Sequence, residues 1–386
     1  KKPWPGLEYE LGLVEPSLIV NDGIDYGCRP DIEAAYGDKL RPMDAFKDSA
    51  PAELVDCVGH DDLMVLMFTS GTTGRSKAVM LSERNFFTTV ECQVKFGDAM
   101  LDYKHEHMPE DKNDVLSNFA ILPLFHLGTF ICLFIWACKG WALNLSADIR
   151  DFYRDLGLMH SDAIAVAPML MEAIYKDVKR GRRARLNGIW NPCGSSAMFD
   201  GAMLAELAQQ GMMITQVYGM TETCGDGIIN YEQDEKHIRA VGKPDDHAEY
   251  KLDETGEICK DPGATAEVLD ADGWFHTGDL ARVDEDGFYY ITGRKKNIII
   301  LDSGENVSPE ELEDLLSKCE AVKECIVREK GKKICAVIYC GEADQQTVRD
   351  FITETNRTLP LYKRMSAVEF STEPLPRTGT GKLLRK

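Results

Sequence analysis

The chain has 386 residues, of which 44% are hydrophobic and 28% charged, a composition typical of a soluble globular protein and not of a disordered chain. Its 64 acidic and 44 basic side chains give a formal net charge of −20, which disfavours binding of nucleic acid through a general positive field. The apolar run Leu127 to Cys138 is too short to cross a bilayer, so we expect no transmembrane segment and interpret this run as a buried helix. No export signal is visible and the twelve cysteines lack metal-ligand spacing, so we expect a cytoplasmic protein with reduced thiols.

Short apolar runs alternate with amphipathic segments through the first two thirds of the chain. These runs predict strands at 63–68, 78–81, 115–121, 163–166, 188–192 and 213–217, and helices at 169–180 and 200–209. Ser82 is suited to cap a further helix that begins near Glu83. Strands that alternate with helices indicate an α/β sheet covered on both faces.

The pattern changes near residue 270. The turn residues Asp284 to Gly287 are followed by an aromatic and β-branched run and predict a hairpin, and the charged segment 293–297 comes next. Beyond it, Ser308-Pro-Glu-Glu311 predicts a capping box at a helix start. Strands at 324–328, 333–339 and 367–370, with a helix at 345–355, complete a small α+β unit. We therefore expect a large domain at 1–296 and a small one at 297–386.

The segment between the first two predicted strands is the most informative for function. It reads Phe-Thr-Ser-Gly-Thr-Thr-Gly-Arg-Ser-Lys from Phe68 to Lys77, and combines small residues, hydroxyls and two cations. Backbone N–H groups and hydroxyls of such a loop can bind a polyphosphate. It is not a Walker A loop, because Ala78 stands where Ser or Thr would hold magnesium. Taken alone, the segment fits an ordinary turn equally well.

Three later segments offer more polar groups suited to a nucleotide. Tyr218-Gly-Met-Thr-Glu222 follows a predicted strand with an aromatic ring, a hydroxyl and a carboxylate. His276-Thr-Gly-Asp279 places a carboxylate in a turn, where it can accept hydrogen bonds from two ribose hydroxyls. Pro376-Arg-Thr-Gly-Thr-Gly-Lys382 places a lysine on a glycine-rich loop. Each has a structural alternative, respectively a core aromatic, a turn cap and a basic terminus, so their combination is what indicates a function.

In this order, the four segments resemble those of the adenylate-forming superfamily, which includes acyl-CoA synthetases, peptide-synthetase adenylation domains and firefly luciferase. The resemblance extends from about Leu63 to the last residue. It implies a large multi-layer α/β adenylation domain followed by a small α+β C-terminal domain that rotates about a hinge. It also implies that a carboxylic acid is activated by ATP and Mg²⁺ to an acyl-adenylate and then transferred to CoA.

The resemblance also assigns roles to individual residues. It implies phosphate binding by Thr69, Ser70, Gly71, Thr72, Thr73, Gly74 and Lys77. It implies adenosine binding by Gly194, Ser195, Ser196, Tyr218 and Gly219 at the adenine, and by Asp279 and Arg294 at the ribose. Thr221 would contact the α-phosphate, Glu222 would bind Mg²⁺, and Lys382 would be the adenylation lysine. His126 would lie at the mouth of the acyl pocket, Lys296 at the hinge, and Gly304 on the CoA side.

Elementary chemistry supports these roles. A carboxylate that attacks the α-phosphate brings two anions together and builds charge on the pyrophosphate leaving group, so preorganised cations and N–H donors are the main source of rate. A lysine suits this task as a compact point charge, and a single protein carboxylate suffices for Mg²⁺, which keeps several of its waters.

The sequence departs from the family pattern at several places. Ser76-Lys-Ala78 replaces a usual Pro-Lys-Gly, and Ser303-Gly-Glu-Asn306 replaces a common Gly-Gly-Glu-Asn. Relative to the family, a stretch before Phe68 and a longer loop near 259–263 are missing. We expect that the sequence omits these parts of a longer chain.

The substrate acid is predicted to be apolar. The ten residues after His126, Leu-Gly-Thr-Phe-Ile-Cys-Leu-Phe-Ile-Trp, lack the aspartate with which peptide-synthetase domains pair an α-ammonium group. An unpaired ammonium in an apolar pocket would be costly, and the run Gly293 to Ile299 resembles the long-chain fatty acid branch. The sequence thus predicts an AMP-forming fatty acid CoA synthetase. The alternatives are a ligase that loads an acyl-carrier protein, and a nucleotide-binding scaffold without catalysis.

Overall fold

The computed structural model describes residues 4–21, 27–49, 59–70, 76–146, 148–195, 199–225, 227–244, 248–254, 257–260, 272–301, 306–331, 333–377 and 383–385. At residues 70 and 257–260 it describes the backbone alone. The chain is divided into two compact units, Lys1–Phe87 and Thr88–Lys386. Within the described ranges, no helix combines the length and the apolar character that a membrane span requires.

The helices and strands of the described residues are numbered here in chain order. The α-helices are α1 Trp4–Val14, α2 Arg29–Tyr36, α3 Glu83–His107, α4 Leu127–Cys138, α5 Phe152–Leu156, α6 Pro168–Lys179, α7 Gly201–Gln209, α8 Pro309–Ser317 and α9 Gln345–Thr358. The strands are β1 Ile19–Asn21, β2 Leu40–Pro42, β3 Leu63–Ser70, β4 Ser76–Ser82, β5 Ser117–Ala120, β6 Ala142–Leu145, β7 Ala163–Val166, β8 Asn191–Ser195, β9 Thr215–Gly219, β10 Gly227–Asn230, β11 Tyr250–Leu252, β12 Glu257–Lys260, β13 Phe275–Val283, β14 Tyr289–Arg294, β15 Ile299–Ile300, β16 Asn306–Val307, β17 Glu324–Lys330, β18 Lys333–Tyr339 and β19 Ala367–Ser371. Short 3₁₀-helices span Met43–Phe46, Ile149–Asp151, Arg183–Leu186, Thr221–Thr223, Lys295–Asn297, Glu342–Asp344 and Leu361–Lys363.

The first unit contains a parallel pair, β1 with β2, and an antiparallel pair, β3 with β4. Both strands predicted around the candidate phosphate-binding segment are confirmed, and each extends further towards it, to Ser70 and Ser76. The predicted cap is confirmed as well. Ser82 Oγ accepts a hydrogen bond from Asn85 N at 3.2 Å, and Asn85 Oδ1 accepts one from Ser82 N at 3.0 Å. This reciprocal pair satisfies two backbone donors at the start of α3.

A six-stranded sheet of order β10-β9-β8-β7-β5-β6 forms the centre of the second unit. β6, β5, β7, β8 and β9 are parallel, and β10 returns antiparallel to β9. Much of its core comes from large side chains of the sheet and of α5 to α7, including Phe119, Leu156, Ile164, Leu170, Ile174, Leu204 and Ile214. Parallel strands with helical connections confirm the predicted α/β class.

Two strands of this sheet lie further along the chain than predicted. β8 is Asn191–Ser195 and not 188–192, and β9 is Thr215–Gly219 and not 213–217. Each strand contains a buried polar side chain that interrupts an apolar run, Asn191 in β8 and Thr215 in β9. Asn191 Nδ2 donates a hydrogen bond to Thr215 Oγ1 at 2.9 Å. A hydrogen bond between buried polar side chains on two strands leaves no signal in hydrophobic periodicity.

The apolar run after β5 forms α4 with the predicted bounds, Leu127–Cys138. Leu127, Thr129, Ile131, Ile135 and Trp136 of this helix are buried. The prediction of a helix buried within the protein is therefore confirmed. None of the cysteines whose side chains the structure describes is joined in a disulfide.

An antiparallel sheet of order β11-β12-β13-β14 follows, and its β13–β14 hairpin confirms the predicted turn at 284–287. His237 packs against this turn, where Nδ1 lies 2.9 Å from Asp234 Oδ2 and Nε2 lies 3.1 Å from Asp286 Oδ2. Asp284 Oδ2 lies 3.8 Å from the same Nε2, and the ammonium group of Lys236 also contacts Asp286. The hydrogen bond to Asp234, together with that to Asp286, raises the pKa of His237.

This raised pKa predicts a pH-dependent contribution of His237 to stability. A group whose pKa is higher in the folded state stabilises the fold below its unfolded pKa, near 6.5, and loses that effect as the pH rises through the folded value. We expect the melting temperature of His237→Gln to lie furthest below wild type under acidic conditions, with the gap closing in alkali. The difference in melting temperature is measured by thermal unfolding from acidic to alkaline pH. His105→Gln is the control, because the side chain of His105 is more exposed than that of His237. A gap independent of pH would contradict the prediction.

The last part of the chain has a hydrophobic core of its own. The core comprises Ile299, Val307, Leu312, Leu316, Cys319, Val327, Ile334, Ala336, Ile338, Cys340, Val348, Ile352 and Met365. A three-stranded sheet of order β17-β18-β19, the helices α8 and α9 and the pair β15–β16 supply these side chains. The predicted elements here are all found, while the domain boundary at 296 stays a prediction.

The capping box predicted at Ser308 is wrong. α8 begins at Pro309, as expected, but Ser308 makes no side-chain cap. Its Oγ instead donates to the carbonyl of Thr292 at 2.8 Å and lies 3.1 Å from Glu310 Oε2. The competing acceptor is the end of β14, which lies 16 residues away in sequence and so was invisible to a local motif.

Candidate active site

The predicted adenosine residues lie at the carboxyl ends of neighbouring parallel strands. Gly194 and Ser195 end β8, and Tyr218 and Gly219 end β9. Ser195 is paired with Val217 in the register of these two strands, so the two groups are adjacent. Ligands of open α/β sheets bind outside the carboxyl ends of strands, and this edge is therefore a candidate ligand site.

Tyr218, Asp279 and Arg294, predicted from three separate segments, form one polar group. Tyr218 Oη donates to Asp279 Oδ2 at 3.0 Å, and Arg294 Nε lies 2.5 Å from Asp279 Oδ1. Asp279 is only 3% exposed, whereas the side chain of Arg294 is 42% exposed. Burial, and next the charge of Asp279, raise the pKa of Tyr218, so the phenol stays protonated and donates.

Local backbone geometry explains how Asp279 reaches this position. Asp279 lies directly opposite Arg294 in the β13–β14 pairing, and the register shifts between Leu280 and Ala281. The preceding Gly278 has φ +75°, a left-handed value that glycine adopts without strain. The buried Thr277 accepts a hydrogen bond from Asp279 N at 3.1 Å through Oγ1. Bulges of this kind redirect side chains next to functional sites.

The segment from Tyr218 to Glu222 lies at the tip of a tight hairpin. Gly219 pairs with Gly227, and a Cβ on Gly227 would lie 1.6 Å from the carbonyl oxygen of Tyr218, so the two strands close only with glycine there. Thr221 and Glu222 begin the 3₁₀-helix at this tip. The tip thus presents a hydroxyl and a carboxylate beyond the end of the sheet.

Glu222 suits the predicted role of a magnesium ligand. Its side chain is exposed, and among the described residues none forms a hydrogen bond or an ion pair with it. Mg²⁺ takes oxygen ligands, keeps several waters and needs one or two protein carboxylates when phosphates complete its shell. The donor set therefore fits this ion.

His126 directly precedes α4, and the start of that helix lies near the hairpin tip. A Cβ on Gly225 would lie 3.7 Å from Leu127 Cδ2. Gly194 has less space, because a Cβ there would lie 2.5 Å from Phe199 Cε2. His126 is partly buried, and its main chain leads into the apolar face of α4.

The remaining predicted residues fall into two groups. In the first unit, β3 contains Thr69 and Ser70, and β4 contains Lys77, which is exposed and paired with Thr69. Lys296 is exposed in the 3₁₀-helix Lys295–Asn297. Outside the described residues lie Gly71, Thr72, Thr73, Gly74, Ser196, Gly304 and Lys382.

Sequence reasoning missed two features of the site. The bond between Tyr218 and Asp279 joins residues 61 positions apart, and no pattern in the sequence links them. Thr277 stood inside the His276–Asp279 segment but was not singled out. Its hydroxyl two residues before Asp279 is the arrangement of a local side-chain turn, a signal that was available.

Comparisons with known proteins give a consistent set of matches. The family model described as AMP-binding enzyme matches residues 21–270. The long-chain-fatty-acid–CoA ligase of Salmonella typhimurium is 29% identical over 356 residues, which cover 84% of this chain and 61% of that ligase. A feruloyl-CoA synthase of Amycolatopsis sp is 30% identical over 387 residues, which cover 91% of this chain and 74% of that synthase. The chain thus spans less than two thirds of the Salmonella relative's length.

One solved structure shows the same fold. It is the O-succinylbenzoate coenzyme A synthetase MenE from Bacillus subtilis, in complex with ATP and magnesium ion. It aligns with a TM-score of 0.76 at 22% identity, over 100% of this chain and 81% of that one.

Proposed function

Because the chain belongs to the AMP-binding enzyme family, we propose that it is an AMP-forming acyl-CoA synthetase. A carboxylic acid attacks the α-phosphate of ATP, which releases pyrophosphate and forms acyl-AMP. The thiol of CoA then attacks the acyl carbon, which releases AMP and forms the thioester. The observation that carries the proposal is the hydrogen-bonded group of Tyr218, Asp279 and Arg294 beside the carboxyl ends of the sheet.

In the proposed adenosine site, Asp279 accepts hydrogen bonds from the ribose hydroxyls. A carboxylate that is 3% exposed keeps its negative charge only with compensating donors, and Arg294 and Tyr218 are such donors. Arg294 therefore acts on the ribose mainly through Asp279. The ring of Tyr218, held by its hydroxyl, offers a face for the adenine.

The net charge of −20 gives the chain no general attraction for the anionic phosphates of ATP. The phosphates therefore bind through local N–H and hydroxyl donors and a few cations. We propose Thr69 to Lys77 for the β- and γ-phosphates, Thr221 for the α-phosphate and Lys382 for the charge that develops during attack. Glu222 would hold Mg²⁺, which supplies positive charge to the phosphates when bound.

The proposed acid has an apolar body, and we favour a fatty acid. α4, which begins just after His126, buries Leu127, Ile131, Ile135 and Trp136. A pocket beside such a helix offers no counter-charge to a second ionised group. Relatives named for a long-chain fatty acid and for a feruloyl group both match this chain, so aromatic acids belong in any test.

We further propose that residues 297–386 form the mobile domain and that Lys296 lies at its hinge. The separate core around Ile299 and Ile338 and the exposure of Lys296 in a short 3₁₀-helix support this. Hinges are short segments between such units that absorb the change in backbone angles.

The proposal is tested with a panel of fatty, aromatic and amino acids, with pyrophosphate release measured in the presence of ATP and Mg²⁺. We expect release with apolar acids, none with amino acids, and AMP formation that depends on free CoA. AMP formation with holo-carrier protein but not with CoA would favour the carrier-loading alternative. If no acid of the panel caused pyrophosphate release, the synthetase proposal would be overturned, and the nucleotide-binding scaffold would remain.

A further inference from the structure

The residues on either side of 378–382 are both tied to β17, and those after it are tied to α8 as well. Before it, Arg377 Nη2 donates to Glu324 Oε1 at 2.7 Å and Leu375 N donates to Glu324 Oε2 at 2.6 Å. After it, Leu383 forms an antiparallel bridge with Arg377. Leu384 N also donates to the carbonyl of Pro376 at 2.8 Å. The flanks therefore lie side by side, with Lys382 covalently next to one of them.

A second arginine holds the outgoing flank. Arg385 Nη2 lies 2.5 Å from Glu313 Oε2, and Nη1 contacts the other oxygen of the same carboxylate. Nη1 also donates to the carbonyl of Val327 at 3.2 Å, and Nη2 lies 3.1 Å from Glu310 Oε1. A forked pair of this kind sets orientation as well as distance.

The pair of Arg385 and Glu313 is partly buried. The side chains are 25% and 17% exposed, and Glu313 also accepts from Val327 N at 2.5 Å. Burial raises the pKa of Glu313 to about 7, against the effect of Arg385, which lowers it. A carboxylate in this position depends on its arginine, because loss of the partner leaves an uncompensated buried charge.

We propose that Arg385 and Glu313 are positioning residues for adenylation, which hold the chain directly after Lys382 in one orientation on α8 and β17. The inference rests on the proposed function, because it takes Lys382 as the adenylation lysine. A lysine acts on a developing charge only while its ammonium group is held in place, and small displacements are costly in rate. In this role each residue acts through the backbone of the segment that Arg385 holds.

The test separates the two half-reactions of the full chain. We expect Arg385→Gln to lower kcat for pyrophosphate release about 30-fold with little change in the KM for ATP. Thioester formation from supplied acyl-AMP and CoA changes less than about twofold. Arg385→Lys keeps the charge and recovers part of the rate, and the double variant with Glu313→Gln is no slower than either single variant.

Arg328→Gln is the matched control. Arg328 Nη2 lies 3.0 Å from Glu369 Oε2 in a pair of similar exposure on the same sheet, and we expect both half-reactions to stay unchanged in this variant. Equal loss of both half-reactions in Arg385→Gln, or loss equal to that of Arg328→Gln, would overturn the positioning role.

Hydrogen exchange tests the contact without any activity. The amide of Leu384 should exchange about tenfold faster in Arg385→Gln than in wild type, because its bond to Pro376 depends on the held flank. Unchanged exchange would overturn the inference even in an active enzyme. If the wild-type chain released no pyrophosphate with any acid, the proposed function would be overturned, and the positioning role with it. Hydrogen exchange at Leu384 would still decide whether Arg385 holds residues 383–385 in place.

Discussion

Replacement of Lys382 with alanine is expected to lower the rate of acyl-adenylate formation by a factor of about 10³, the scale of losing one preorganised charge at a developing anion. The proposed lysine bridges the attacking carboxylate and the α-phosphate, two groups that otherwise repel. Thioester formation from supplied acyl-AMP needs no such charge and should stay within about threefold of wild type. Pyrophosphate release and thioester formation, measured separately, check this.

Lys386→Ala is the control for this variant, because it removes a charge four residues further along the same basic terminus. We expect it to leave both half-reactions unchanged. Loss of both reactions to the same extent in Lys382→Ala would contradict the assigned role, as would a loss shared by Lys386→Ala.

Asp279→Asn is expected to raise the KM for ATP about 10- to 100-fold, since a hydrogen bond to a charged group contributes about 1.5–3 kcal/mol. The amide keeps the size of the carboxylate but accepts more weakly. It also leaves the guanidinium of Arg294 without the carboxylate that lies 2.5 Å from it. Steady-state kinetics with ATP varied at saturating acid measure the effect.

Asp253→Asn provides the matched comparison in the same sheet region. Asp253 Oδ2 lies 3.6 Å from Lys295 Nζ, so this change also neutralises a paired aspartate. We expect the KM for ATP to stay at the wild-type value there. An unchanged KM in Asp279→Asn, with the melting temperature preserved, would show that Asp279 does not contact the nucleotide.

Elements governed by neighbours in sequence were predicted well. α4 has the predicted bounds because an apolar run flanked by polar residues specifies a buried helix locally. Ser82 caps α3 because its partner, Asn85, is three residues away. Strand ends were less accurate where buried polar residues such as Asn191 and Thr215 are hydrogen-bonded to each other across the sheet.

The structure brings together three residues that the sequence analysis chose from separate segments, while their roles stay predictions. Tyr218, Asp279 and Arg294 were chosen separately, yet their mutual bonds depend on the hairpin that turns β13 back against β14. Ser308 was misassigned for a related reason, because a carbonyl of β14 competes for its hydroxyl. Residues 71–74 and 382 lie outside the described residues, so their roles stay predictions.

The sequence by itself determined the α/β class, the helix starts and the order of the four segments that place the chain in its family, because each is encoded by residues close together in the chain. Only the tertiary structure decided that Asp279 is buried between Tyr218 and Arg294 and that Arg385 is joined to Glu313, 72 positions away. A charged group buried on folding must meet its partner wherever the chain brings one, and that meeting depends on sheet order and packing, which local patterns do not encode.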